Sequence, residues 1–419
     1  MGPQPGRSVT ALLDSLGVRP LINAVGPATR LGSSTPSADV LAAMAEAAAV
    51  YLPMHELQRA AGAEIAALTG AEAGYVTNGA AAGLMLAAAA CIAGDDPALM
   101  NRLPFTDGMR DEIVVHRGQR IAYDHAVRAS GARLVEIGFH DLTFPYELDA
   151  AIGERTAAVL YFSNSGANAL PLEQVVAIAH ARGVPVILDA SLAIPPVENL
   201  RRFADLGVDL VAVSGGKWIG GPAASGFLYG RADLLRSVAL QQQDQDVRVE
   251  TWHGAPLIAG GTVAGPPHQG IGRALKVGKE EIAGLLAALR AYVARDHAAD
   301  QARWRAAAQT VVDALAGIPG ADARVLPADG RERGWPIAEI ALDEPALGLG
   351  AYDVVRALAA GAPPIALDEA VAWRGALRVT PTHLRDGEAA VVAAALAAAL
   401  RRTDPTSAHT KADRKDTDA

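Results

Sequence analysis

A single cysteine, Cys91, stands in 419 residues, so no intrachain disulfide can form. That fits a reducing compartment, and the Ala-rich apolar surroundings of Cys91 mark it for packing rather than nucleophilic chemistry. Long apolar runs are missing too. The longest, Ala80 to Ala93, is too short and too rich in Ala and Gly to span a bilayer. Met1 to Leu21 lacks the basic-then-apolar pattern of a secretory signal. A cytoplasmic protein with no membrane partner is the expectation. Positive charge is in deficit, with a net charge of -9. Nucleic-acid surfaces need clustered Lys and Arg, so no nucleic-acid partner is expected. Lysine in particular is scarce: the five are Lys217, Lys276, Lys279, Lys411 and Lys415.

What remains is the composition of a globular enzyme-sized chain. Hydrophobic residues make up 51% and charged residues 20%, and the length allows two or three domains. Met1 to Gly6 reads as a mobile start and 403–419, polar and aperiodic, as a disordered tail. Thr35-Pro36 predicts a helix start running to about Tyr51. A second helix follows from His55 to Leu68, stopped by Gly70. Beyond it, short apolar runs alternate with amphipathic ones. Strands are expected at Gly74 to Thr77, Ile113 to Val115, Leu134 to Ile137, Ala158 to Phe162, Val184 to Leu188 and Val208 to Val213. Helices are expected at Pro171 to Arg182 and Glu198 to Leu206. Continuously apolar strands separated by helices imply an α/β fold, with a mainly parallel sheet covered on both faces. Long Ala/Leu helices from about Glu280, mixed with short strands at Ile337 to Leu342 and Leu377 to Thr380, predict a second, smaller α/β domain. The division expected is 1–60 as N-terminal arm and helices, 61–280 as a large ligand-binding domain and 281–402 as the small domain.

Ligands of α/β sheets bind beyond the carboxyl ends of the strands, and three such ends carry unusual residues. Thr77 to Gly83 runs from strand to helix through small residues, whose bare N–H groups suit an anion; tight packing is the other reading. Val186 to Ser191 ends a very apolar strand on Asp189. A buried acid needs a cation, and the protonated pyridine nitrogen of pyridoxal 5′-phosphate (PLP) is one; capping of the next turn is the alternative. Val211 to Trp218 carries Lys217 two glycines beyond a buried strand, on a turn expected to be flexible. It is no Walker loop, since Val211 replaces the first Gly and Trp218 the Ser or Thr. An imine-forming lysine is therefore Lys217, unless it lies in the Lys276 to Lys279 turn. A desolvated Lys loses its proton near neutrality, as imine chemistry requires. No metal site is expected.

The order of anion loop, Asp and Lys resembles that of fold-type-I PLP enzymes. More closely, the chain resembles the selenocysteine-synthase-like (L-seryl-tRNA selenium transferase) branch, and within it the D-glucosaminate-6-phosphate ammonia-lyase-like members. The matching stretches are Ile22-Asn23-Ala24, Thr29-Arg30-Leu31-Gly32, Glu56-Leu57-Gln58, Leu68 to Glu72, Thr77 to Gly83, Ser214-Gly215-Gly216-Lys217 and Gly270-Ile271-Gly272-Arg273. The resemblance implies that Lys217 forms the Schiff base and that Asp189 pairs with the pyridinium. Gly79, Ala80 and Ala81 would hold the phosphate through backbone N–H groups, Ser214 through its hydroxyl, and Ser191 the ring hydroxyl. His116, Gln119, Arg120 and Tyr123 are the candidates for stacking on the ring. Arg378 is placed to bind a substrate carboxylate, with Arg30 and Arg273 as further substrate contacts; an exposed edge-strand role is the other reading of Arg378.

Two departures narrow the expectation. Ser33 stands where selenocysteine synthase has a glycine-flanked Arg, which together with the acidic charge disfavours a tRNA substrate. Ser191-Leu192 stands where class V aminotransferases and desulfurases show a His or Gln. The expected function is Cα deprotonation of a small-molecule amino acid. An ammonia-lyase acting on a 2-amino-3-hydroxy acid, such as an amino sugar acid, comes first; racemase, aldolase and aminotransferase are alternatives. A PLP-fold regulator or scaffold is the non-enzymatic alternative. The resemblance further implies a homodimer or larger assembly, with Gly260 to Arg273, including His268, bordering the site.

Overall fold

Apolar runs buried on both faces dominate the strands in the first two thirds of the chain, and the sheet they form follows from that burial. The computed structural model describes residues 11–163, 168–243, 246–328 and 334–401. The expected mobile start and disordered tail lie outside these residues. Among them twelve strands are present: β1 (Ile22–Ala24), β2 (Ala73–Thr77), β3 (Glu112–His116), β4 (Arg133–Ile137), β5 (Thr156–Phe162), β6 (Val186–Asp189), β7 (Leu210–Ser214), β8 (Gly226–Gly230), β9 (Ala321–Leu326), β10 (Ile337–Leu342), β11 (Ile365–Leu367) and β12 (Ala376–Val379). The chain separates into two units, one built on 32–295 with Gly334, the other on 11–31, 296–328 and 335–401.

The first unit holds a seven-stranded sheet in the order β2-β8-β7-β6-β5-β3-β4. β7, β6, β5, β3 and β4 are mutually parallel, and β8 runs antiparallel to both β7 and β2. Ala158, Val159, Leu160, Ile187, Leu188, Val211 and Ala212 are completely buried. Such strands need cover on both faces, and the helices between them supply it. β8, Gly-Phe-Leu-Tyr-Gly, is the one strand of this sheet that the sequence pattern did not reveal, being short and bounded by glycines. The first long helix begins at Ala38 rather than at Pro36, because the Ser37 hydroxyl accepts from Val40 N–H and so forms the cap. The next, Met54–Thr69, buries Gln58, Ala61, Ile65 and Thr69 on one face and stops at Gly70, whose φ of +74° is left-handed.

Gly62 on that helix meets Gly74 on β2 so closely that a Cβ on Gly62 would lie 2.1 Å from the Gly74 carbonyl oxygen. In an open helix Gly→Ala gains about 1 kcal/mol. Here the contact reverses the sign: Gly62→Ala should destabilise by about 1–3 kcal/mol through overpacking. A lower urea midpoint is the expected readout, and an unchanged or raised midpoint would contradict the close approach.

The second unit contains an antiparallel sheet, β12-β10-β9, and a parallel pair, β1-β11. Ala338 and Ile340 of β10 point into a core with Val311 and Leu315 of the helix His297–Leu315 and Val392 and Leu396 of the helix Glu388–Arg401. The pleat sends Glu339 to the opposite face. Among the described residues, no helix is long and apolar enough to cross a membrane.

Candidate active site

The parallel register brings the chemically unusual strand ends to one end of the seven-stranded sheet. Asp189, the last residue of β6, stands beside Ala212 of β7. Ser214 closes β7 and pairs with Gly226 of β8, which also pairs with Thr77 of β2. Gly79 opens the helix Gly79–Ala93 immediately after β2.

Asp189 is only 6% exposed. Its Oδ1 accepts from the Ser191 backbone N–H at 2.8 Å. Burial raises its carboxyl above the ordinary carboxylate range, against the hydrogen bonds of Ser191 and the charge of Lys217, which lower it. Among the described residues no Arg or Lys is hydrogen-bonded to it. Lys217 is pushed the other way: burial lowers its ammonium, and the charge of Asp189 only partly offsets this. The two groups feel each other's charge without forming an ion pair.

The turn that carries Lys217 is tightly packed rather than flexible. A Cβ on Gly215 would lie 2.4 Å from Leu285 Cδ1, and one on Gly216 would lie 2.8 Å from Ala223 Cα. Gly215 N–H donates to Ser225 O, and Gly221 N–H donates to Gly215 O, both at 2.9 Å. The glycines of Ser-Gly-Gly-Lys are thus demanded by close approach, and the lysine's backbone is held in place. Neither other described lysine is in such surroundings. Lys279 donates to the carbonyls of Ala48 (3.1 Å) and Val50 and sits over the Tyr51 ring, and Lys276 is exposed.

At the phosphate-loop candidate, Gly79 has a φ of +78° and nothing within 4 Å of its Cβ position. Asn78, at the N-cap, makes no side-chain cap bond, and the first turn carries no acid. The opening N–H groups of such a helix have no partner within it. Ala80 is buried, Ala81 exposed, and Ser191 and Ser214 are half-buried. A buried acid lacking a bonded cation, a desolvated amine in the turn after the adjacent strand and an uncapped helix start fit the ring nitrogen, aldehyde and phosphate of PLP.

The four stacking candidates differ in their surroundings. His116 is fully buried and edge-on to Tyr161; burial lowers its imidazolium to about 4, so the ring is neutral. Gln119 is clamped to the end of β5: it donates to Phe162 O at 3.3 Å and accepts from Phe162 N–H at 3.1 Å. Arg120 is paired with Asp124 and Glu136, and Tyr123 is exposed. Arg273 lies half-buried in the turn Ile271–Leu275. His268 N–H donates to Asn101 Oδ1 at 2.9 Å. Cys91 packs against the core of the large unit, and burial pushes its thiol up to about 12.

Arg30 and Arg378 belong to the other unit. Arg378 is held by Glu339, a residue that the sequence pattern showed only as part of a strand. A lone acid in Ile-Ala-Glu-Ile-Ala facing the Arg of Leu-Arg-Val was the available signal. Gln58, from the Glu-Leu-Gln stretch, donates to Val76 O at 3.0 Å and accepts from Val76 N–H at 3.1 Å, pairing the free edge of β2.

The chain is similar to known proteins over most of its length. Residues 28–257 match the family model of L-seryl-tRNA selenium transferase. A 5′-C-glycyluridine monooxygenase-decarboxylase of Streptomyces sp is 34% identical over 387 residues, covering 90% of this chain and 89% of the relative. A D-glucosaminate-6-phosphate ammonia lyase of Salmonella typhimurium is 32% identical over 392 residues, covering 92% and 96%. A solved D-glucosaminate-6-phosphate ammonia-lyase superposes with a TM-score of 0.77 at 30% identity, covering 94% of this chain and 99% of the other. The chain belongs to the L-seryl-tRNA selenium transferase family and is an enzyme with the fold-type-I architecture of PLP-dependent proteins.

Proposed function

We propose that the chain is a PLP-dependent ammonia-lyase that converts a 2-amino-3-hydroxy acid to a 2-keto acid and ammonia, by loss of water from Cβ and hydrolysis of the C–N bond, with Lys217 as the base. The observation that carries this reading is the placement of buried Asp189 at the end of β6 and half-buried Lys217 in the turn after the adjacent β7, each with its pKa displaced by desolvation. Bound PLP supplies an electron sink for the negative charge left at the amino acid's Cα. Lys217, its ammonium destabilised, takes the proton from Cα. Asp189 keeps a proton on the pyridine nitrogen, and Ser191 fixes the carboxylate that does so. Gly79, Ala80, Ala81 and Ser214 bind the phosphate, with Arg273 as a substrate contact. The Cβ hydroxyl leaves with a proton as water; hydrolysis of the C–N bond then gives a 2-keto acid and ammonia. The relative named D-glucosaminate-6-phosphate ammonia lyase supports an amino sugar acid as substrate.

A second reading has its own support: the monooxygenase-decarboxylase relative spans the chain equally fully. On that reading the bond broken at Cα is to the carboxylate, dioxygen is consumed and the substrate is a glycyl-substituted nucleoside. A homodimer is also proposed. A contiguous exposed apolar stretch, Val50 to Leu52 with Met54, supports it, since such patches mark contact surfaces.

One experiment separates the reactions. The PLP-loaded enzyme is given D- and L-2-amino-3-hydroxy acids, phosphorylated and not, and a glycyl nucleoside, while ammonia, keto acid, oxygen uptake and chirality are followed. Equal ammonia and keto acid without oxygen uptake is expected. Oxygen uptake with decarboxylation would replace the lyase by the second reading, and inversion alone would make the enzyme a racemase.

A further inference from the structure

The ladder between β3 and β5 is in register from Glu112 and Thr156 to Val115 and Leu160. Beyond it β3 runs into the turn Arg117–Gln119, and the side chain of Gln119 takes the next rung. Its Nε2 donates to Phe162 O at 3.3 Å, and its Oε1 accepts from Phe162 N–H at 3.1 Å. One amide thus does for Phe162 what a neighbouring strand does for the residues before it. The contact is buried, with Gln119 1% and Phe162 6% exposed, so water does not replace the amide if it is lost.

That amide starts a row of hydrogen bonds running through the strand end that carries the acid. Phe162 O and Ser163 N–H belong to one trans peptide, so they point in opposite directions. Phe162 O accepts from Gln119, and Ser163 N–H donates to Asp189 O at 3.1 Å. Asp189 O and Ala190 N–H likewise share a peptide, and Ala190 N–H donates to Ala212 O of β7 at 2.9 Å. Every N–H in the row points the same way, from Gln119 across β5 and β6 to β7. Peptides linked in this sense polarise one another, and each fixes the plane of the next. Phe162 stands opposite Asp189 in the register, so the residue that Gln119 clamps is the one beside the acid. All of these residues lie in the first unit.

We infer that Gln119 is a positioning residue for Asp189: its amide fixes the end of β5 and, through the Phe162–Ser163 peptide, the backbone from which the Asp189 carboxylate is aimed at the cofactor's ring nitrogen. Ser191 N–H holds the carboxylate itself at 2.8 Å, so the backbone and the side chain of Asp189 are set by separate donors. This rests on the proposed role of Asp189 and adds what holds it in line.

The test compares the PLP-loaded wild type with Gln119→Met, Gln119→Asn, Asp189→Asn and the double variant of Gln119→Met with Asp189→Asn. Gln119→Met keeps the length of the side chain and removes both hydrogen bonds; Gln119→Asn keeps the amide and shortens its reach. Two quantities are read. One is deuterium washout from Cα of the substrate found above, in a single turnover. The other is the pH at which the ring nitrogen of isotopically labelled PLP, followed by NMR, loses its proton. A misplacement of about 1 Å costs up to about 100-fold in rate, and the loss of one support for Asp189 should cost part of that. Gln119→Met should slow washout by about tenfold and lower the ring nitrogen's titration by about one pH unit, with Gln119→Asn falling between it and wild type. Added to Asp189→Asn, Gln119→Met should cost less than about twofold more, because the group it aims is already gone. If Gln119→Met does not fold, Gln119→Asn decides alone. A lower Tm with washout and ring nitrogen unchanged would make Gln119 merely structural and overturn the inference. Slower washout without a change at the ring nitrogen, or a further loss of about tenfold in the double variant, would overturn it as well. An Asp189→Asn variant with wild-type washout and ring nitrogen would instead remove the proposed role of Asp189, and this inference with it.

Discussion

Lys217→Ala should abolish turnover, by about a thousandfold or more, while the protein keeps some PLP through the phosphate loop. The expected size reflects two losses at once. The amine that takes the Cα proton disappears, and general base catalysis alone is worth about 10²- to 10⁴-fold. The covalent anchor of the cofactor disappears with it. Borohydride reduction of the loaded wild type, followed by peptide mapping, should place the pyridoxyl group on Lys217. Lys276 and Lys279 are the competing described positions, and the structure separates them from Lys217 physically. Lys279 spends its ammonium on the carbonyls of Ala48 and Val50, and Lys276 is exposed, so neither is desolvated as Lys217 is. Because burial lowers the Lys217 ammonium, a larger share of its amine is unprotonated at any given pH than for a free lysine. Activity should rise with pH through that lowered value and fall away on the acid side. A label on Lys276 or Lys279, or full turnover in Lys217→Ala, would remove Lys217 from the chemistry.

The fold was legible where burial is unambiguous. Runs such as Ala158 to Phe162 and Val208 to Val213 are apolar on both faces, and only a covered parallel sheet accommodates them. Gly70 ended its helix as the sequence indicated, because a left-handed residue there admits little else. β8 was hidden: five residues with glycine at both ends look like loop until the neighbouring strands are in place. The packing reason for those glycines was equally invisible, since Gly226 has none of its neighbours nearby in sequence. A Cβ there would lie 2.6 Å from the Gly79 carbonyl carbon and 2.7 Å from Val213 O. The same limit applies to the site. Asp189 and Lys217 stood out because a charge at the end of an apolar strand demands an explanation. Gln58 and Glu339 did not, because their roles come from partners 18 and 39 residues away. Periodicity reports which face a residue occupies; it cannot report what stands opposite.

Asp189→Asn tests the chemistry most directly, because it leaves almost every other feature in place. The hydrogen bond from Ser191 N–H to Oδ1 can be accepted by an amide oxygen, so the turn after β6 should survive. Without cofactor the variant should even gain stability near neutral pH. The folded Asp189 carboxyl is raised by burial, so the folded protein holds its proton to higher pH than the unfolded chain does. Stability is therefore lost as pH rises from the unfolded carboxylate range, about 3.9, toward the folded value, and Asn removes that loss. PLP should still bind, since Lys217 and the phosphate loop are untouched. What the amide cannot do is keep the pyridine nitrogen protonated, because it carries no charge. Deprotonation at Cα should then slow by about a hundredfold or more, at about 1.4 kcal/mol of barrier per factor of ten. Washout of deuterium from Cα in a single turnover measures that step apart from binding and product release. If Asp189 only shapes the turn, Asn shapes it equally well and washout proceeds at the wild-type rate. Such a result would place the cofactor's ring elsewhere. Slow washout, retained PLP and a raised apo-protein Tm near pH 7 together would mean that Asp189 is strained without the ring and is spent on holding its proton.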